Sequence, residues 1–323
     1  MLNATWYGHL GGATNQGDDI AGIVEKVGAN VYEFRPGDRV GAFHEMLTPH
    51  GSYAEYAIAW QHMTFHIPNE TTFEEAATIP LAAMTAAVAL YLRLSLPSPW
   101  SATAEQQPPT STTPTPLIIY GASSAVGIYA TQLALRSGIH PLLCVAGRAS
   151  DYVAGFLDSS RGDVVVDYRQ GDEKVVEGLV RELEKYRGDG GGDVVPVLVL
   201  DAVSEGGTIK NIGRVLERVG GGSVEGSKGK GKVTLVLSGA DEKLPEGVER
   251  SNTSVGQVHK AAKDFGFVYF RYFARGLREG WFKPQRFEVV PGGLAGIQGA
   301  LEKLKDGKAS AVKYVFRIGE TER

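Results

Sequence analysis

Residues 117–134 constrain this chain more than any other stretch. Leu117, Ile118, Ile119 and Tyr120 read as a buried strand, the residues after them as a turn of small side chains, and the segment from Gly127 as the first turns of a helix. A pyrophosphate can rest on a helix N-terminus only where the backbone comes close and no side chain intervenes, and this order of elements provides that. Gly121 makes the turn, and Gly127 lets the helix pack on the strand. The middle glycine of G-x-G-x-x-G is absent, with Ser123, Ser124 and Ala125 in its place. The motif alone therefore leaves open a tight strand-to-helix turn with no nucleotide.

Downstream, apolar strands alternate with helical segments: strands over 117–121, 140–146, 163–167, 194–201 and 232–238, helices over 127–137, 151–158, 172–186 and 207–219. Repeated βα units predict a parallel, doubly wound sheet. The glycine-rich breaks, Gly188 to Gly192 and Gly220 to Gly231, read as loops between elements. Upstream, residues 17–68 are punctuated by glycine and carry short alternating segments, 21–27 and 53–58, that read as strands of a small β domain. Pro36 and Gly37 supply a β-turn. From Thr72 to Leu94 the pattern is helical, with Thr71 or Thr72 as cap, Glu74 and Glu75 at the positive end, and Pro80 as a break. Residues 97–116 hold six prolines among Ser, Thr and Gln and read as a polar surface linker.

Composition excludes several classes of function. With 33 basic against 37 acidic residues and a net charge of −4, the chain carries no footprint for nucleic acid or an anionic membrane. The single Cys144 excludes an intrachain disulfide and a multi-cysteine zinc site, and fits a reducing compartment. No unbroken apolar run of membrane-spanning length and no signal-peptide pattern occurs, so a soluble, cytoplasmic protein is expected. His44, His50, His62 and His66 cluster in sequence without a nearby cysteine or an H-E-x-x-H motif. They read as surface or hydrogen-bonding groups, and no metal is expected. No G-x-S-x-G surrounds a serine, which leaves hydride transfer from a dinucleotide.

An enzyme using NAD commonly ends the second strand of such a fold with Asp or Glu for the ribose hydroxyls. Here that strand runs through Cys144, Val145 and Ala146 into Gly147 and Arg148. Small residues leave room, and Arg148 offers a bidentate partner for a 2′-phosphate. The pattern predicts NADPH, against the alternative of a solvated loop arginine. Tyr168, after the third strand, either closes over the adenosine side or caps the strand end. The aromatic run from Phe265 to Phe273 reads as acyl-pocket lining, a subunit contact or core.

Through residues 17–28, 36–40, 51–56 and 74–80, with Thr85 and Ala86, nearly the whole chain resembles the zinc-independent medium-chain dehydrogenase/reductase superfamily, near its quinone reductase and enoyl reductase branch. The tail, 290–294 and 307–316, and the proline-rich insertion resemble the fungal subgroup that includes trans-acting enoyl reductases of polyketide assembly. The resemblance implies an α/β fold with a Rossmann-type doubly wound parallel sheet over 117–260 that binds NADPH. Around it stand a GroES-like β domain with following helices over 1–96, the insertion 97–116, and a C-terminal segment 261–323 returning to the β domain.

The resemblance further implies zinc-independent reduction of an activated carbon–carbon double bond in an enoyl thioester or enone. The substrate would be a small molecule or a carrier-tethered acyl group, with a polyketide synthase as partner. It assigns Gly121, Ser123, Ser124, Ala125, Val126 and Gly127 to the pyrophosphate, Arg148 and Tyr168 to the adenosine phosphate end, Thr85 to the neighbourhood of the nicotinamide, and Ser238, Ser310 and Ala311 to the cofactor. Residues 2–7 resemble a family segment that normally follows the first strands of the catalytic domain, so an incomplete, N-terminally truncated GroES-like domain is expected. Tyr7 falls where relatives often keep a lysine; it either donates the proton or only packs. Quinone reduction, and a truncated chain that binds NADPH without chemistry, stay as alternatives.

Overall fold

The computed structural model describes residues 16–100, 115–187, 196–220, 231–238 and 242–322. Tyr7, most of the proline-rich insertion, the Gly188 to Gly192 break and residues 221–230 lie outside the described residues. Two compact units result, one from the residues up to Met84 and from Val255 onward, the other from Thr85–Ser254.

In the first unit β1 (Asp19–Ile23), β2 (Arg39–Phe43) and β3 (Thr64–His66) form an antiparallel sheet in that order, with Ala21 opposite Gly41 and Gly41 opposite Phe65. Residues 53–58 do not form the expected strand. The N–H groups of Ser52 and Tyr53 go to the carbonyls of Gly17 and Gln16, and that of Ile58 to His50, so single bonds fix a loop rather than a ladder.

α1 (Phe73–Ala76) begins on a capping box in which Thr72 Oγ1 accepts the Glu75 N–H (3.1 Å) and Glu75 Oε2 accepts the Thr72 N–H (2.8 Å). Pro80 opens α2 (Pro80–Ala87), which continues in wider turns over Val88–Arg93. The whole stretch Phe73–Arg93, with a mean hydropathy of 1.5, is long and apolar enough to cross a membrane by composition, but 78% of its apolar window is buried inside the fold. Its apolar residues are mostly covered by the fold, as those of a core helix are. Its second half belongs to the second unit, where the Tyr91 hydroxyl donates to the Leu133 carbonyl (3.1 Å) and shares a bond with Ser137 Oγ (2.9 Å).

The second unit runs β4 (Leu117–Tyr120), α3 (Ala125–Arg136), β5 (Leu142–Ala146), α4 (Ser150–Ala154), β6 (Val164–Asp167), α5 (Asp172–Glu184), β7 (Val197–Asp201), α6 (Thr208–Arg218), β8 (Gly231–Leu235) and β9 (Val248–Asn252). All strands are parallel, in the order β6-β5-β4-β7-β8-β9. Taken in chain order that is 3-2-1-4-5-6, the doubly wound arrangement in which ligands sit at the carboxyl ends of the strands where the order reverses, here between β4 and β7. Every residue of β4, β5 and β7 is buried, as a parallel sheet covered on both faces demands. Val176 and Leu179 of α5 and Ile212 and Val215 of α6 pack on Ile118, Leu143, Val199 and Val233.

The sixth strand, β9, is absent from the sequence reading, and Ser238 consequently follows the fifth strand rather than the last. Its residues, Val-Glu-Arg-Ser-Asn from 248 to 252, are partly or largely exposed at the sheet edge and carry no apolar run.

Back in the first unit, α7 (Lys263–Glu279) precedes β10 (Phe287–Val290), α8 (Ile297–Lys305) and β11 (Lys313–Phe316), and β10 pairs with β11 in parallel. The aromatic run lies on α7, its second half in the core and Phe265 and Phe267 partly exposed. Tyr269, Phe270, Tyr272 and Phe273 are buried, Phe270 meets Phe65 edge-on (5.4 Å), and Phe273 stacks on Phe282 (4.9 Å).

Candidate cofactor site

The turn after β4 is built on backbone contacts. Gly121 adopts φ +78°, and the N–H groups of Gly121 and Ala122 both donate to the Val145 carbonyl of the neighbouring strand (3.0 and 2.9 Å). Ser124 caps α3, its Oγ accepting the Gly127 N–H at 3.0 Å. A Cβ on Gly127 would run into the Gly121 carbonyl oxygen and stand 2.7 Å from Ala122 Cα, so any side chain there forces the helix off the strand. Among the described residues the N–H groups of Ala125 and Val126 have no acceptor, and the first turn holds no acidic side chain. These orphan donors and the positive end of the helix dipole make a cradle for an anion.

At the next strand, β5 ends on Ala146, and Gly147 follows. The Tyr168 ring lies against Gly147 so closely that a Cβ there would be 2.5 Å from it. Tyr168 is half exposed and Arg148 is exposed. Ala146 pairs with Asp167, which brings Gly147, Arg148 and Tyr168 together at the carboxyl ends of β5 and β6. The carboxylate at this edge, Asp167, is already engaged: Arg169 donates to it from Nε (2.9 Å), from Nη2 (2.5 Å) and from its backbone N–H (2.9 Å). These hydrogen bonds hold Asp167 below the usual carboxylate range.

Across the switch point, β7 ends in a carboxylate that sequence reasoning missed. Asp201 is fully buried; its Oδ1 accepts the N–H groups of Val203 (3.0 Å) and Ser204 (2.8 Å), and its Oδ2 accepts the Thr208 hydroxyl (2.5 Å). Burial pushes its pKa up. The available signal was an Asp closing the apolar run 197–200.

The remaining expected residues fall elsewhere. Thr85 is buried in α2, and Ser238 is exposed beyond β8. Ser310 and Ala311 belong to the first unit, Ser310 exposed and Ala311 at φ +50°, just before β11. Cys144 is sealed inside β5, its thiol pushed up to about 12 by burial. His44 is buried, with Nδ1 2.6 Å from the Ile58 carbonyl; His62 meets the Val258 carbonyl (3.2 Å) and His66 that of Glu33 (3.3 Å). Among the described residues no group of three His, Cys, Asp or Glu side chains is placed to hold a metal ion.

Residues 4–69 match the alcohol dehydrogenase GroES-like domain. A trans-enoyl reductase of Gibberella fujikuroi is 43% identical over 283 residues, 87% of this chain and 77% of that protein. The chain belongs to the medium-chain dehydrogenase/reductase superfamily. A trans-enoyl reductase of Aspergillus sclerotiorum is 30% identical, over 94% of this chain and 85% of its own. Among solved structures, the quinone oxidoreductase of Pseudomonas syringae pv. Tomato DC3000 shares the fold with a TM-score of 0.62 at 19% identity, over 94% of this chain and 82% of that one.

As a member of this superfamily, in its enoyl-reductase-like branch, the protein is an oxidoreductase, and its chemistry calls for a nicotinamide cofactor. The second unit fits such a group: backbone closes up at Gly121 and Gly127, the amides of Ala125 and Val126 have no acceptor among the described residues, and both features stand beside the switch point of the sheet.

Proposed function

We propose that the protein reduces an activated carbon–carbon double bond, in an enoyl thioester or enone, with NADPH and without zinc. The observation that carries this reading is the 43% identity to a trans-enoyl reductase across most of both chains. Support for NADPH comes from the end of β5, where Gly147 and Arg148 stand in place of a carboxylate and Asp167 is engaged by Arg169. When bound, the reduced nicotinamide supplies the hydride equivalent.

In this reading the chain's own work is binding and orientation. Gly121, Ser123, Ser124, Ala125, Val126 and Gly127 receive the pyrophosphate on the α3 N-terminus. Arg148 forks onto the 2′-phosphate, and the Tyr168 ring covers the adenosine side. Thr85 lies near the nicotinamide, Ser238, Ser310 and Ala311 contact the cofactor, and Tyr7 is the protonating or packing group. The substrate is a small molecule or an acyl chain tethered to a carrier domain of a polyketide synthase, met in the cytosol.

Cofactor-consumption assays with an enoyl thioester, an enone and a quinone test the reading. Turnover of the thioester or enone with NADPH supports it. Turnover of the quinone alone makes the protein a quinone reductase, and cofactor binding without any turnover makes it a non-catalytic binder.

A further inference from the structure

Asp201 has no part in the cofactor contacts set out above, yet it is among the most fully buried acidic groups of the second unit. The hydrogen bonds of its carboxylate serve one turn and the start of the helix after it, and its main-chain carbonyl also accepts the Val236 N–H (3.2 Å). Its carboxylate takes the Val203 and Ser204 N–H groups and the Thr208 hydroxyl, while Ser204 Oγ donates to the Asp201 carbonyl (2.9 Å) and accepts the Val236 N–H (3.0 Å). The turn is thereby tied to the start of α6 on one side and to the end of β8 on the other. Ser204 is held at φ +57°, a conformation that a non-glycine residue keeps only when its surroundings impose it.

The result of this bracing is the place of Val203. Its side chain lies directly over Gly121, so close that a Cβ on Gly121 would collide with Val203 Cγ2. Gly121 follows β4 and Asp201 closes β7, adjacent strands with Tyr120 paired to Asp201, at the point where the strand order reverses. In such a sheet the adenosine half of a dinucleotide lies over the first three strands, so its nicotinamide half crosses to the side of β7.

We infer that Asp201 is a positioning residue of the cofactor crevice: by fixing the Val203–Ser204 turn against Gly121 it sets the wall on which the nicotinamide half packs. The inference rests on the reading of this crevice as a dinucleotide site. It makes the two halves of the cofactor respond differently to the same substitution.

The test compares Asp201→Ala with Asp201→Asn, which keeps one oxygen to accept the two amides. Dissociation constants are measured for NADPH and for 2′,5′-ADP, the adenosine half alone, and for NADH and AMP as the second pair. Removing buried acceptors from two amides and a hydroxyl should weaken NADPH roughly tenfold. The same change should leave 2′,5′-ADP within about twofold, and Asp201→Asn should recover most of the loss. Should Asp201→Ala fail to fold, Ser204→Ala, which removes the hydroxyl's bonds to the Asp201 carbonyl and the Val236 N–H, carries the same comparison. Equal weakening of whole cofactor and fragment, or no change in either, overturns the positioning role while leaving the cofactor site intact. Failure of the wild-type chain to bind any of the four nucleotides overturns the dinucleotide reading and this inference with it.

Discussion

Gly127→Ala probes a close backbone-to-backbone approach at the start of α3. The added methyl would meet the Gly121 carbonyl oxygen and stand 2.7 Å from Ala122 Cα and 2.8 Å from the Ala122 carbonyl carbon. These are backbone atoms, and the Gly121 and Ala122 amides are themselves anchored on Val145, so nothing flexible can give way. Overpacking of this kind costs up to about 3 kcal/mol, partly offset by the higher helix propensity of alanine. A net loss of about 2 kcal/mol corresponds to a fall in Tm of very roughly 4–8 °C for a unit of this size. Because the methyl levers the start of α3 away from β4, the orphan amides move with it, and nucleotide affinity should drop at least about tenfold. Gly178→Ala in α5 is the control: its methyl meets only the Val166 side chain, Cγ1 at 3.2 Å and Cγ2 at 3.7 Å, which can shift, so its stability should stay within about 1 kcal/mol of wild type. Calorimetry and nucleotide titration of both variants decide the matter. A Gly127→Ala protein with the melting temperature and affinity of the control would refute the steric argument.

Other consequences follow from the same structure. Arg148→Ala should weaken NADPH by about 1.5–3 kcal/mol, the worth of a hydrogen bond to a charged group, while leaving NADH unchanged, as parallel titrations would reveal. Cys144 should resist thiol reagents in the native protein and react only on unfolding, because burial keeps it a thiol; rapid native-state labelling would contradict this. Two buried groups of the first unit should pull stability in opposite directions with pH. His259, whose ring nitrogens have no hydrogen-bond partner among the described residues, is pushed down to about 4 by desolvation, so it stabilises fully above pH 6.5 and that contribution is lost as pH falls toward 4. Asp18, raised to about 6 by burial with Asp19 adding to it, favours the folded state below pH 3.8 and loses that contribution as pH rises through 6. Between pH 4 and 6 denaturant titrations should therefore show Asp18→Asn losing stability on acidification more steeply than wild type, and His259→Phe gaining it.

The second unit was the more legible part of the sequence, since buried parallel strands are unbroken apolar runs and their connecting helices begin at marked turns. Elements that owe their form to tertiary context were not legible. β9 carries Glu249 and Arg250 and is a strand only because β8 offers an edge. α7 has no side-chain cap, and its aromatic run admits several readings until Phe65 and Phe282 are seen beside it. Residues 53–58 alternate like a strand but spend their amides on loop contacts. The candidate site divides the same way. The glycine turn and Arg148 stand in local sequence, whereas the close packing of Tyr168 on Gly147 and of Val203 on Gly121 joins residues that only the sheet order brings together.

The most direct test of the central claim follows the hydride itself. An enoyl thioester and an enone, each incubated with the protein and NADPH deuterated at both C4 positions, should yield from at least one of them the saturated product with deuterium on its β-carbon and a solvent proton on its α-carbon. Recovery of both unsaturated compounds unchanged, or of a saturated product without deuterium, would contradict the account.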